Sequence, residues 1–464
     1  MPHRYRVGLY TLGCKVSQYE TEAIAEDFVK HGFVECPFDQ PCDIYVINTC
    51  TVTAESDRKS RQMIRRAIRQ NPAARVMVVG CSAQSHSAAM AAIPGVAFVG
   101  GSYGKMRLAE RALSLLQAPA APPLCEVGDV NAVPYEEMTI NRTTGARTRA
   151  HFPAETDTDT TANVRTTGAR TRAYVKIEDG CECCCSYCAI PAARGSVKSR
   201  RPADVLAEVN RLAREGTREV VLIGIEIASY GADFDNYRLL DLLETLDAQS
   251  TVERMRLGSL TPEFLKEDVI ARLAKLRRLT PHFHLSVQSG SSPVLAAMKR
   301  RYRAEQVLTA VGQLRANIPS VQFTADIMVG FPGESEEMFE QTLDFCRRVG
   351  FLNLHIFVYS ARPGTPAATY PDQVPPAIAK SRSAALARLR DKMRAELYAG
   401  VIAQGRPLPV IFESEEQGLW SGHSDNFMPV LAHSEENIRG ELLWVKPQAV
   451  RGDCLYGTIT NWER

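Results

Sequence analysis

No stretch of the sequence approaches the roughly 20 apolar residues that a membrane helix needs, and the opening MPHRYRVGLYTLGCKVSQ has no apolar core of signal-peptide length. A cytoplasmic protein without a membrane partner is therefore expected. Neither sign of charge is in excess: 55 Lys and Arg against 53 Asp and Glu leave a formal +2. A nucleic-acid partner would have to be met by a local patch rather than by a global field. The composition, 45% hydrophobic and 23% charged, excludes wholesale disorder. At roughly 100–200 residues per domain, 464 residues make room for two to four domains.

Cysteine, by contrast, is plentiful. Thirteen of them, an odd number, in a chain so unlike a small secreted scaffold point to metal or redox chemistry rather than to a disulfide framework.

Over residues 1–116 apolar runs alternate with helix-like segments: RVGLYTL, TEAIAEDFVKHG, DIYVINT, a basic helix, ARVMVVG, VAFVG and KMRLAERALSLL. That rhythm predicts an α/β domain with a doubly wound parallel sheet. Residues 117–172 read as a linker, opening on APAAPP and running through ETDTDTTANV. Within it RTTGARTRA occurs at 142–150 and again at 165–173, a polar duplication unable to bury a core, and the region between the copies is expected to form a mobile loop. From 173 to 399, YVKIE, REVVLIG, ERMRLGS, HFHLSVQ, VQFTADIMVG and LNLHIFVYS predict six βα units, a partial (β/α)6 barrel with its chemistry at the carboxyl ends of the strands. From 400 to 464, LPVIFE, MPVLAH and DCLYGTIT predict a small all-β barrel.

After the first of the six strands comes GCECCCSYCAIPAARG. Cys181, Cys185 and Cys188 have C-x3-C-x2-C spacing, which can hold three irons of a cubane and leave the fourth open to substrate. A zinc site is the alternative, but zinc prefers four ligands in C-x2-C pairs and no partner pair lies nearby. Cys183 and Cys184 could re-pair with Cys181 or Cys188, but only the 181, 185, 188 choice keeps the three-plus-two spacing. Three further cysteines, Cys14, Cys50 and Cys81, each follow a predicted parallel strand. With strands about 4.8 Å apart, three such loops can converge at one sheet edge, and a second iron–sulfur cluster is expected there. Buried structural cysteines are the alternative at each position taken singly.

The cysteine segment resembles the radical S-adenosylmethionine superfamily, with Tyr187 where that family places an aromatic residue before its last cysteine. The resemblance implies that the open iron chelates the amino and carboxylate groups of S-adenosylmethionine and that one electron cleaves it to a 5′-deoxyadenosyl radical. The words LGCKVSQYE, INTCTVT, GCSAQ, FHLSVQSGS, TADIMVGFPGES and YSARPGTPAA are similar to those of the methylthiotransferases over nearly the whole chain. By the same resemblance the last domain is TRAM-like. LGCKVSQYE and YSARPGTPAA are most like the branch acting on threonylcarbamoyladenosine in tRNA. What that branch implies is insertion of a methylthio group at C2 of the modified adenosine beside the anticodon. Two 4Fe-4S clusters, S-adenosylmethionine, tRNA, a flavodoxin- or ferredoxin-type electron donor and a monomeric enzyme belong to the same expectation. Ser17 departs from the Asn usual in the opening, and Cys183 and Cys184 stand where Asn or Asp and a large apolar residue are more common.

C2 of adenine is an unactivated aromatic carbon, which neither acid–base catalysis nor an ordinary nucleophile can convert to a carbon–sulfur bond; hence the need for a radical cofactor. Tyr187 and three polar residues at strand ends, Glu226, Ser259 and Gln288, are the candidate cofactor contacts. Arg58, Arg61, Arg65 and Arg69 fall on one helix face, with Lys59 and Arg66 beside them, and could contact phosphates. A solvated helix surface explains the same pattern. From residue 400 on, nine acids oppose five Lys or Arg, so charge alone does not make the last domain an RNA clamp. The alternatives are a methylthiotransferase acting on isopentenyl-adenosine tRNA or on a ribosomal-protein aspartate, or a non-catalytic two-cluster electron carrier.

Overall fold

The computed structural model describes residues 4–461, apart from Val52, Ala120, Thr139 and 141–170. Most of the duplicated linker, and the loop expected there, lies outside the described residues. The second copy ends by running into a strand at Arg172.

Six parallel strands form the first sheet: β1 (Arg6–Thr11), β2 (Val34–Cys36), β3 (Ile44–Thr49), β4 (Arg75–Gly80), β5 (Val96–Gly100) and β6 (Leu124–Glu126), in the order β2-β1-β3-β4-β5-β6. Successive side chains of β1, β3 and β4 alternate between two apolar layers. Tyr10, Tyr45, Ile47, Val76 and Val78 pack on Ile64 and Ala67 of helix α2 (Ala54–Gln70). Val7, Leu9, Ile44, Val46 and Val79 pack on Ile24 and Phe28 of helix α1 (Lys15–Lys30). Burial on both faces is why these strands read as continuous apolar runs, as parallel strands do. The sheet extends beyond residue 116: β6 pairs with β5 inside the segment read as linker. Beyond it, Met138 and Ile140 pack with Val16, Tyr19 and Ala23 of α1 against Val221 and Ile223 of the central unit.

The central unit holds β7 (Arg172–Lys176), β8 (Glu178–Asp179), β9 (Lys198–Ser199), β10 (Glu219–Ile223), β11 (Arg254–Leu257), β12 (Ser259–Leu260), β13 (His282–Gln288), β14 (Gln322–Val329) and β15 (Asn353–Val358). Two parallel sheets, β11-β10-β7 and β12-β13-β14-β15, follow one another, with only Gly258 between β11 and β12. The six expected strands are thus present as an open arc whose third strand is split. β8 and β9 form a short antiparallel ribbon that brackets the cysteine loop. Along β13 and β14, Phe283, Leu285, Val287, Phe323, Ala325, Ile327 and Val329 join the main core, so the alternate residues His284, Ser286, Thr324 and Asp326 face the inside of the arc.

The helix Pro376–Gln404 crosses the boundary expected at 399 and 400, ending on Gly405 at φ +62°. Its Leu397, Val401 and Ile402 pack into the core of a closed five-stranded barrel: β16 (Leu408–Glu416), β17 (Leu419–Ser424), β18 (Pro429–His433), β19 (Leu442–Arg451) and β20 (Cys454–Thr460). β17 and β19 have no counterpart among the runs picked out by sequence.

This barrel is seated on the amino ends of the central strands. Arg172 pairs with Glu413 at 2.6 Å, and Arg254 donates to the Pro409 carbonyl at 2.9 Å. Arg256, paired with Glu219 at 2.7 Å, donates to the Asp425 carbonyl at 3.0 Å. Phe427, at φ +72°, stacks its ring on His282 and His423, at 4.6 and 4.9 Å between centroids. A bulky residue in the left-handed region costs about 1–3 kcal/mol, which the stacking and the two guanidinium groups over the same ring offset. Among the described residues no helix is long and apolar enough to cross a membrane.

Candidate active site

Three neighbouring strands of the first sheet, β1, β3 and β4, end on the three N-terminal cysteines. Cys14 caps α1 with extended backbone, Cys50 follows β3, and Cys81 opens a short helix, α3 (Cys81–Ser85). Cys50 and Cys81 are buried and Cys14 is exposed. The first two loops lie close together: a β-carbon built on Gly13 would be 3.2 Å from Cys50 Cβ. Gly80, at φ +99°, brings the third loop in; a β-carbon there would be 2.4 Å from Asn48 Oδ1. Asn48 in turn donates to the Ser17 carbonyl and to Thr21 Oγ1, both at 3.1 Å. Ser17 Oγ lies 3.8 Å from Cys14 Sγ.

In the central unit each of the three motif sulfurs faces an N–H. The backbone of Cys183 donates to Cys181 Sγ at 3.4 Å, that of Ile190 to Cys188 Sγ at 3.5 Å, and Arg300 Nη1 lies 3.6 Å from Cys185 Sγ. Burial pushes the Cys185 thiol up and Arg300 opposes it. Cys184 points outward and is exposed. Soft thiols lined by N–H donors suit an iron–sulfur cluster. Polar groups beside the loop also lack partners: Glu178 Oε1 and Arg300 Nε are buried with no hydrogen-bond partner among the described residues. These are free valences for a polar cofactor such as S-adenosylmethionine.

Glu226 follows β10 beside these groups. Its backbone N–H donates to Glu178 Oε2 at 2.8 Å, and its Oε1 accepts from Thr261 Oγ1 at 3.2 Å. Burial, reinforced by the Cys183 thiol, raises its carboxyl to about 7. Gln288 ends β13 at φ +70°, at an irregularity in its pairing with β14. Ser259 lies on β12 and is exposed. Tyr187 packs edge-on against Phe331, 6.4 Å between ring centroids, in a small cluster with Val294, Met298 and Ala367.

Sequence reading missed the charged groups that join the two cysteine sets. Arg194, fully buried, donates from Nε to Cys81 Sγ at 3.1 Å and from Nη1 to Glu20 Oε1 at 2.5 Å and Asp179 Oδ2 at 3.0 Å. Lys105 also contacts Glu20, and Lys176 reaches Asp179 at 2.6 Å. Burial alone would raise Glu20, but Arg194, Lys105 and Lys176 hold it well below the usual carboxylate range. A second missed group lies inside the arc. Asp326 Oδ1 is 3.2 Å from His284 Nε2 and 3.3 Å from His355 Nδ1, and the two imidazoles hold its carboxyl far down against the effect of burial. The period-two placing of polar residues within HFHLSVQ and TADIMV was the available signal.

Two family models match the chain: the radical SAM superfamily over residues 175–346 and uncharacterized protein family UPF0004 over residues 6–101. The chain is 38% identical to the threonylcarbamoyladenosine tRNA methylthiotransferase MtaB of Bacillus subtilis, over 95% of this chain and 93% of that protein. It is 34% identical to the Aquifex aeolicus protein of the same name, over 85% and 90%. To a tRNA-2-methylthio-N(6)-dimethylallyladenosine synthase of Carboxydothermus hydrogenoformans it is 32% identical, over 94% and 95%. In fold it resembles the radical S-adenosylmethionine methyltransferase TsrM of Kitasatospora setae at 16% identity, with a TM-score of 0.53 over 79% of this chain and 77% of that one. The length and identity of the sequence matches decide the family: this chain is an enzyme of the radical S-adenosylmethionine methylthiotransferases.

Proposed function

We propose that the chain inserts a methylthio group at C2 of N6-threonylcarbamoyladenosine beside the anticodon of tRNA, with one 4Fe-4S cluster on Cys181, Cys185 and Cys188 and a second on Cys14, Cys50 and Cys81. The observation that carries the reading is the buried Arg194 network: from six residues past Cys188 it reaches Cys81 of the first sheet, Glu20 of α1 and Asp179, two residues before Cys181. When bound, the first cluster and S-adenosylmethionine supply a carbon radical able to take hydrogen from an unactivated carbon.

The chain's own residues bind and orient. Arg300 and the loop N–H groups stabilise thiolate charge on the motif cysteines. Glu226 and Glu178 offer carboxyl groups beside the cysteine loop for the cofactor's amino or ribose groups. Gln288, Ser259 and Tyr187 are read as further contacts. Arg58, Arg61, Arg65 and Arg69 all lie on the exposed side of α2, which starts just past Cys50, and are read as the phosphate-contacting face. The closed five-stranded barrel is read as TRAM-like.

The 38% identity to the Bacillus subtilis protein, against 32% to the dimethylallyladenosine synthase of Carboxydothermus hydrogenoformans, favours threonylcarbamoyladenosine over isopentenyl-adenosine as the substrate. The reading includes an external electron donor of flavodoxin or ferredoxin type and a monomeric enzyme working in the cytoplasm. Incubating the reconstituted enzyme anaerobically with hypomodified tRNA, S-adenosylmethionine, sulfide and dithionite tests it: methylthiolated threonylcarbamoyladenosine is expected, and unchanged tRNA alongside intact cofactor cleavage would contradict it.

A further inference from the structure

Arg194 sits six residues after Cys188, yet its side chain serves a cysteine from the other end of the chain. Its planar fork is committed on three sides. Nε donates to Cys81 Sγ at 3.1 Å, Nη1 to Glu20 Oε1 at 2.5 Å and to Asp179, and Nη2 to Glu20 Oε2 at 3.2 Å. The guanidinium cannot turn away from the sulfur without breaking its contacts to two buried carboxylates. Those carboxylates come from different units: Glu20 from α1, which Cys14 caps, and Asp179 from β8, two residues before Cys181.

The buried cations around Arg194 are matched by carboxylates: Lys105 contacts Glu20, and Lys176 contacts Glu20 and Asp179, with the Glu136 and Glu178 carboxyls beside the same lysines. With Nη1 and Nη2 held by Glu20 and Asp179, the Nε–H is left to Cys81 Sγ. Arginine stays charged under all ordinary conditions, so a permanent cation stands against this sulfur.

We propose that Arg194 is a positioning residue for the N-terminal cysteine set: its Nε–H holds Cys81 Sγ in place as a cluster ligand and raises the reduction potential of the cluster bound there. The inference rests on the second cluster of the proposed function. An N–H donated to a ligand sulfur stabilises the reduced, more negative cluster over the oxidised one. The same side chain, rooted in the helix Ile190–Arg194 after the motif cysteines, ties the geometry of one set to that of the other.

The test uses the full chain with Cys181, Cys185 and Cys188 changed to Ala, so that only the N-terminal set can hold iron, reconstituted and titrated with dithionite under electron paramagnetic resonance. In this background Arg194→Gln with Glu20→Gln removes the guanidinium donor while leaving the net buried charge unchanged, and Arg194→Lys keeps a cation but loses the fork. Iron content near that of the parent is expected in both. The double variant should show about a tenfold shift toward the oxidised form at a fixed ambient potential, about 59 mV for one electron; Arg194→Lys should show a smaller shift of the same sign. Unchanged midpoints with iron retained would overturn the role of Arg194. A parent with Arg194 intact that holds no iron overturns the second cluster itself, and the inference with it.

Discussion

Arg362, on the loop after the last central strand, donates to Thr51 Oγ1 at 2.9 Å, one residue past Cys50. The same guanidinium pairs with Asp57 near the start of α2, and Asp57 accepts from Ser82 Oγ at 2.7 Å, one residue past Cys81. The YSARPG segment of the central unit thereby braces two cysteine loops of the first sheet from a distance of about 300 positions in the chain.

Removing this brace should be costly. Arg362 is 4% exposed and Asp57 16%, so Arg362→Ala strands a largely buried carboxylate, and a loss of about 3 kcal/mol is expected. Calorimetry should show a clearly lowered Tm, with a smaller drop for Arg362→Lys. An unchanged Tm in Arg362→Ala would mean that the two units are held together elsewhere.

Iron analysis separates the two cysteine sets. The reconstituted chain should hold about eight irons, two cubanes of four. Changing Cys181, Cys185 and Cys188 to Ala should leave about four, because the N-terminal cysteines stand on loops of the first sheet and the central unit reaches those loops through Arg194 and Arg362, not through the motif cysteines. Changing Cys14, Cys50 and Cys81 should preserve cleavage of S-adenosylmethionine and abolish sulfur insertion. Complete loss of iron from the first variant would refute two independent sites.

How far the sequence carried these conclusions depended on the length and burial of each element. β1, β3, β4 and β5 were legible because both faces are apolar, whereas β2 and β6 are three-residue edge strands, VEC and LCE, too short to show a period. β19 was missed because LLWVKPQAVR carries Lys446, Pro447 and Gln448 on a small barrel with much exposed surface. All six proposed cluster cysteines could be chosen by spacing and strand position. The network around Arg194 could not: Glu20 is 174 positions away, and charged residues in helices ordinarily read as solvated surface. Likewise the run from Arg254 to Arg256 looks like a surface strand, yet it anchors the C-terminal barrel.

The arginine face of α2 makes a prediction with a salt signature. Arg61→Glu with Arg65→Glu should weaken tRNA binding, lowering the slope of log affinity against log salt by about 1.5 if two phosphate contacts are lost. Cleavage of S-adenosylmethionine without tRNA should be unchanged, since both side chains are exposed. Filter binding across a salt series checks the first statement and product analysis the second; an unaltered slope would make this face ordinary solvated surface.

At the other end of the central arc, His282 makes the seating of the C-terminal barrel acid-sensitive. Burial, with Arg256, His284, Lys15 and His423 nearby, holds its imidazole well below the usual 6.5. Below pH 6.5 the unfolded chain takes up a proton that the folded chain refuses, so stability is complete above that value and falls as the solution is acidified, by up to about 1.4 kcal/mol per pH unit. Glu226 and Glu35, raised mainly by burial to about 7 and about 8, act in the opposite sense over the same range. The informative quantity is therefore the difference between the parent and His282→Gln in urea unfolding from about pH 7 to 5. That difference should change with pH; parallel curves would show that His282 does not titrate with unfolding.

Mass spectrometry of tRNA nucleosides from a strain lacking this gene tests the account most directly, with the chain supplied from a plasmid or left out. Threonylcarbamoyladenosine without its methylthio group is expected in the deletion strain and the methylthiolated nucleoside on complementation, lost again when Cys14, Cys50 and Cys81 are changed to Ala. Restoration of methylthiolated isopentenyl-adenosine instead, with threonylcarbamoyladenosine left unmodified at C2, would contradict it.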